Sequence, residues 1–137
     1  MSVDCFLDTN VLVYAAAGRG RDEAKRRRAV EIVETEEFGL SAQVLQEFFV
    51  TVTSKIPAPL PVDGALEWIE QLEIFPCAVI DTPLVKVAAE VSHRYGISYW
   101  DAAIVAAAET LGAKWLYTEE LNDGQQYGST TVCDPFR

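Results

Sequence analysis

Val3-Asp4-Cys5-Phe6-Leu7-Asp8-Thr9-Asn10-Val11-Leu12-Val13-Tyr14-Ala15-Ala16-Ala17 opens the chain and decides how the rest is read. Residues 3 to 7 are short and apolar and predict a buried strand. Asp8-Thr9-Asn10 then supplies turn and cap residues, and the run from Val11 predicts a helix. An acid that ends a buried strand has two readings. It is a preferred helix N-cap, and in an open α/β sheet it also stands at the carboxyl edge, where such folds place ligands.

Working outward, further acids fall at comparable places. Ser41 predicts the cap of a helix to Ser54, on which Val44, Leu45, Phe48, Phe49 and Val52 form one apolar face. Glu47 sits at the edge of that face, roughly 60° outside Val44 at 100° per residue. Ser98 predicts the cap of an alanine-rich helix ending at Leu111-Gly112, and Ser98-x-x-Asp101 matches a capping box. Lys114 to Thr118 predicts a strand, closed by Glu119-Glu120 and a turn at Asn122-Asp123-Gly124.

Each acid has a bland explanation as a cap or a solvated charge, but together they fall on strand ends and helix starts along one sheet edge. Clustered carboxylates repel and raise one another's pKa, so such a group is most easily kept by a cation that neutralises it. Mg²⁺, with Mn²⁺ as a substitute, suits an all-oxygen donor set.

The remaining segments fill in an α/β alternation. Asp22 to Phe38 predicts a helix that is basic at its start and acidic at its end, an order that opposes the helix dipole and requires compensation from outside. Phe38-Gly39-Leu40 predicts a short strand. Lys55 to Val62 contains Pro57, Pro59 and Pro61 and predicts an extended loop. Asp63 is expected to cap a helix through Leu72, and Cys77 to Ile80 predicts a buried strand. Asp81-Thr82-Pro83 starts a helix that stops near Tyr95-Gly96, and Thr130 to Cys133 predicts a final edge strand. The fold expected is a single α/β domain over residues 1–137, with a mainly parallel central sheet flanked by helices on both faces.

Composition narrows the function classes. Half of the 137 residues are hydrophobic, which excludes disorder. No apolar run is long enough to span a membrane and no leader pattern opens the chain, so a soluble, cytoplasmic protein is expected. Cys5, Cys77 and Cys133 are isolated and odd in number, as for core thiols in a reducing compartment, and no zinc spacing occurs. The net charge of −10 excludes a general nucleic-acid coat. Arg19, Arg21, Lys25, Arg26, Arg27 and Arg28 nonetheless gather six of the eleven basic residues into ten positions, a face for RNA or for a protein partner. His93 reads as a surface residue, and Trp68, Trp100 and Trp115 as core or interface rather than base-stacking residues.

Phe6-Leu7-Asp8-Thr9-Asn10-Val11-Leu12-Val13-Tyr14-Ala15, Gln46-Glu47-Phe48, Tyr99-Trp100-Asp101-Ala102-Ala103-Ile104 and Leu116-Tyr117-Thr118-Glu119-Glu120-Leu121-Asn122-Asp123-Gly124 together resemble the PIN-domain ribonucleases, especially VapC-type toxins of toxin–antitoxin pairs. The resemblance runs nearly end to end. It implies a Mg²⁺-dependent endoribonuclease that is inhibited by a small cognate antitoxin and forms a homodimer. Asp8, Glu47 and Asp101 match the first three acidic positions, and Asn10 and Thr118 match supporting polar residues. The fourth acid is usually Asp two positions after the Thr/Ser that ends the strand, where Glu120 stands here. Glu119 and Asp123 are its neighbours in contention.

Other readings are a haloacid-dehalogenase-like phosphatase, which would want a second Asp where Asn10 stands, and a receiver-like phosphoacceptor, which would want two acids near the first strand and a late Lys. A catalytically inactive PIN-fold protein-binding module would have no need of all four acids.

Overall fold

The computed structural model describes residues 2–137. Its centre is a sheet of six strands in the order β3-β2-β1-β4-β6-β5. These are β1 (Cys5–Leu7), β2 (Phe38–Ser41), β3 (Cys77–Ala78), β4 (Trp115–Tyr117), β5 (Gln126–Tyr127) and β6 (Thr130–Cys133). All neighbouring pairs are parallel except β5 and β6. Six α-helices flank the sheet: α1 (Thr9–Ala17), α2 (Glu23–Thr35), α3 (Ala42–Ser54), α4 (Val62–Leu72), α5 (Thr82–Tyr95) and α6 (Tyr99–Thr110). The expected mainly parallel α/β domain is the architecture found.

Register places the site. Phe6 pairs with Leu116 and Leu7 with Tyr117, so the next residues of both strands, Asp8 and Thr118, emerge side by side. The Asp8 N–H donates to the Tyr117 carbonyl at 3.1 Å and the Thr118 N–H to the Cys133 carbonyl at 3.2 Å, which carries the sheet ladder up to the polar edge. Behind that edge Phe6, Leu7, Leu40, Phe48 and Leu116 are fully buried. α1 to α4 pack on one another, and α5 packs on α6.

Helix starts follow their caps. Ser41 accepts from the Val44 N–H, Asp81 from the Leu84 N–H, and Ser98 from the Asp101 N–H. Gly96 ends α5 at φ +66°, the left-handed conformation that glycine adopts freely. The adverse charge order of α2 is compensated from within and without. Arg26 pairs with Glu23 at 2.9 Å, Arg28 with Glu31, and Lys25 with Glu119 on another element.

Several expectations are corrected. α2 ends at Thr35, not Phe38, because Phe38 is taken into β2. The N-cap of α4 is the extended Pro61, whose carbonyl accepts the first helical bond from the Ala65 N–H, and Asp63 lies inside the first turn. β3 is only Cys77–Ala78. β6 is interior, covered on its outer side by the two-residue β5, which lacks any alternation that a sequence would reveal. Trp100 is 66% exposed and is no core residue. Cys5 is buried, which pushes its thiol up to about 12, while Cys77 and Cys133 are half-buried. His93 is exposed on α5.

Candidate functional site

The carboxyl edge of β1 and β4 is organised by one hydroxyl. Thr118 Oγ1, fully buried, donates to Asp8 Oδ2 at 2.9 Å while accepting from Asn10 Nδ2 at 3.1 Å and from the Glu120 N–H at 3.0 Å. Asp8 Oδ1 accepts from the Thr9 N–H at 2.7 Å, so the same carboxylate caps α1 with one oxygen and meets β4 with the other. Capping and a site role are therefore compatible in Asp8. Asn10 also accepts from the Glu119 N–H at 3.4 Å, which fixes how the chain leaves β4. The position calls for an amide that donates, which an ionised Asp would not do.

Glu47 reaches the same edge from α3. Its Oε1 accepts from Thr9 Oγ1 at 2.7 Å and its Oε2 from Gln43 Nε2 at 3.1 Å. Gln43, buried one turn before Glu47, also donates to the Trp100 carbonyl at 3.1 Å and so ties α3 to the start of α6, where Asp101 stands. Sequence reasoning did not single out Thr9, Gln43 or Tyr14. The i, i+4 spacing of Gln43 and Glu47 on one helix face was the available signal.

The two glutamates after β4 part company. Glu119 accepts from the Tyr14 hydroxyl at 2.5 Å and from Lys25 Nζ at 2.9 Å. Glu120 keeps to the acidic side: burial raises its pKa first, and Asp101, Glu47 and Glu119 raise it further. Asp8, only 4% exposed, is pushed up to about 7. Burial is the main cause, Glu120 and Glu47 add to it, and the bonds from Thr9 and Thr118 work against it. Asp123 is occupied elsewhere, accepting from the Asp134 N–H at 2.8 Å with Arg137 3.8 Å away.

Asp8, Glu47, Asp101 and Glu120 thus share an electrostatic neighbourhood. Among the described residues no group of three or more His, Cys, Asp or Glu side chains stands close enough to hold a metal ion. Protein donors hold Asp8 and Glu47 in place, and of the four acids Glu47 and Glu120 border the open space. The donor set is oxygen only, and its chemistry suits a hard divalent cation. Beside these acids opens a cleft of about 720 Å³, lined by Asn10, Tyr14, Glu47, Glu119 and Glu120 among others.

The basic segment divides in the same way. Lys25, Arg26 and Arg28 are held by Glu119, Glu23 and Glu31, and Arg28 also donates to the Pro135 carbonyl. Arg19, Arg21 and Arg27 form no ion pair among the described residues and are exposed.

The family model described as "PIN domain" matches residues 5–122, a span that contains Asp8, Glu47, Asp101, Glu119 and Glu120. Solved structures of similar fold include a toxin–antitoxin complex from Klebsiella pneumoniae, 20% identical, covering 96% of this chain and 97% of that one with a TM-score of 0.71. VapC20 of Mycobacterium tuberculosis, described as a sarcin–ricin loop cleaving toxin, is 18% identical, with 93% and 98% covered and a TM-score of 0.67. DNA-bound VapBC from Salmonella typhimurium is 18% identical, with 95% and 96% covered and a TM-score of 0.62. No curated protein matches in sequence.

Proposed function

The chain belongs to the PIN domain family, and from that premise we propose that it is a Mg²⁺-dependent endoribonuclease acting as the toxin of a toxin–antitoxin pair. One observation carries the reading: acids from four separate segments meet at one sheet edge beside an open cleft, where Glu120 and Glu47 raise the proton affinity of Asp8 while Asp101 and Glu47 raise that of Glu120. Carboxylates brought together in this way suit a cation and a phosphodiester better than any apolar ligand.

Asp8 and Asp101 are the main ligands in this reading, with Glu47 and Glu120 as ligands or orienting groups. A bound Mg²⁺ would supply Lewis acidity toward the phosphodiester and lower the pKa of an attacking water. Thr118 and Asn10 hold Asp8 in one orientation. Thr9 and Gln43 hold Glu47, so that neither carboxylate swings when substrate enters. Glu120, whose N–H is held by Thr118 Oγ1, lines the cleft beside Glu47 and is placed to orient a water or a cation there.

An antitoxin partner accompanies this reading, supported by structural neighbours solved as toxin–antitoxin assemblies, and a homodimer is proposed with it. No helix of the described residues is long and apolar enough to cross a membrane; a cytoplasmic site of action belongs to the toxin reading itself.

The test is cleavage of cellular RNA by purified protein with Mg²⁺ or with EDTA, beside Asp8→Asn and Asp101→Asn. Cleavage that needs the metal and both acids is expected, together with growth arrest on expression that Asp8→Ala relieves. Folded parent protein that leaves RNA intact and growth normal would overturn the proposal.

A further inference from the structure

The cleft beside Glu47 and Glu120 does not end at the acids. It runs along α1 and α3 to Lys55 and Ile56, and shares Val13, Tyr14, Asp22 and Ile56 with a second hollow of about 290 Å³ that Arg19 and Arg21 line. The two make one groove, negative at the Glu47–Glu120 end and basic at the other. Val13, Val50 and Ile56 give it an apolar stretch between.

The charge at the basic end is available. Lys55, Arg19 and Arg21 are exposed and form no ion pair among the described residues, unlike Lys25, Arg26 and Arg28 nearby. Asp22 lines both hollows and Glu23 feels the charge of Arg19, but among the described residues neither pairs with Arg19, Arg21 or Lys55. Free cations at one end of a chain whose net charge is −10 form a local exception where a phosphate backbone can dock.

Resting on the nuclease reading, we propose that this groove is the track of a single RNA strand: Lys55, Arg19 and Arg21 take backbone phosphates away from the scissile bond, and Val13, Val50 and Ile56 face a base. Its continuity with the acidic end favours RNA over an acidic peptide, since the ligand held at the cations must also present a phosphodiester to Glu47 and Glu120. The volumes lie within or close to the roughly 300–1,000 Å³ of ligand pockets. That suits a splayed, unpaired nucleotide, whereas duplex RNA presents its wide, shallow minor groove to proteins.

The experiment measures binding of a short mixed-sequence RNA oligonucleotide, single-stranded or annealed to its complement, by fluorescence anisotropy in Ca²⁺ over a salt series. Lys55→Met and the pair Arg19→Met with Arg21→Met should weaken single-strand binding and flatten the salt dependence, by about 0.7 in log–log slope for each phosphate no longer neutralised. Lys55→Arg should restore the slope. Lys86→Met, on α5 and outside the groove, is the control and should change nothing. Thermal midpoints check that the variants remain folded.

Cleavage by the parent with unchanged slopes in the groove variants would overturn the track alone. So would an equal loss in Lys86→Met, equal affinity for the duplex, or competition by polyglutamate as strong as by RNA. A parent that neither binds nor cleaves RNA would overturn the nuclease reading with it.

Discussion

Lys25 Nζ lies 2.9 Å from Glu119 Oε2 although 94 positions separate them in the chain. With Tyr14 holding the other carboxylate oxygen, both oxygens of Glu119 are committed. Lys25 also stands over the Tyr14 ring at 5.0 Å and the Phe136 ring at 5.9 Å, so α1, α2 and the C-terminal segment meet at this carboxylate. Glu120, one residue on, has no such side-chain tie among the described residues and shares its field with Asp101 and Glu47.

Glu120→Gln should therefore weaken Mg²⁺ activation of RNA cleavage by about tenfold or more, as expected for a group that holds or orients the cation, with part of the loss recovered at high Mn²⁺. Glu119→Gln should shift activation far less and lower stability by no more than about 1 kcal/mol, because the ion pair is partly exposed. Metal titrations of the two variants decide it. A loss dominated by Glu119 would reverse the assignment.

Thr118→Val should cost stability out of proportion to its size. Its hydroxyl is buried, and its loss strands the Asn10 amide and the Glu120 N–H as well as removing the donor to Asp8. About 2 kcal/mol is expected by chemical denaturation, with Thr118→Ser close to the parent. Equal loss in both variants would show that the methyl group, not the hydroxyl, is the stabilising part.

The raised pKa of Asp8 sets a pH dependence of definite sign. Between the ordinary carboxyl value of 3.8 and about 7 the folded protein holds a proton that the unfolded chain has released, so stability should fall as pH rises through that window. In EDTA the thermal midpoint should drop across that window and level off above it. Asp8→Asn should flatten the decline and be the more stable protein on the alkaline side, by roughly 2–4 kcal/mol. An unchanged pH profile in the variant would show that other groups control it.

Gln43→Ala should reduce kcat with little change in KM, because Gln43 touches Glu47 and the Trp100 carbonyl but does not line the cleft. Restoration by Gln43→Asn is not expected, since the shorter side chain cannot span both partners. Steady-state kinetics on one RNA substrate provide the check, and a change confined to KM would point to a substrate contact instead.

Local chemistry makes much of the molecule legible in the sequence. Ser41, Asp81 and Ser98 cap the helices that their positions predict, and the strand ending at Leu7 lies at the centre of the sheet. What escapes depends on distant partners. Whether β6 is an edge or an interior strand is decided by β5, two residues with no pattern of their own. The split between Glu119 and Glu120 is decided by Lys25 and Tyr14, which no spacing near residue 119 could announce. For the same reason Gln43 reads in the sequence as one more helical residue and not as a link to the Trp100 carbonyl.

α6 carries Asp101 in its first turn, and every residue from Ala102 to Ala108 is buried. Amides in such a helix exchange with solvent chiefly when the whole domain opens. The acid is thus mounted in the terminal turn, capped by Ser98, immediately before the part of the helix that fraying does not reach. Heat or denaturant should release the buried run only with the slowest-exchanging protons, whereas the turn that carries Asp101 can loosen first, so that the Ser98 cap stands between an intact sheet and an acid that has drifted.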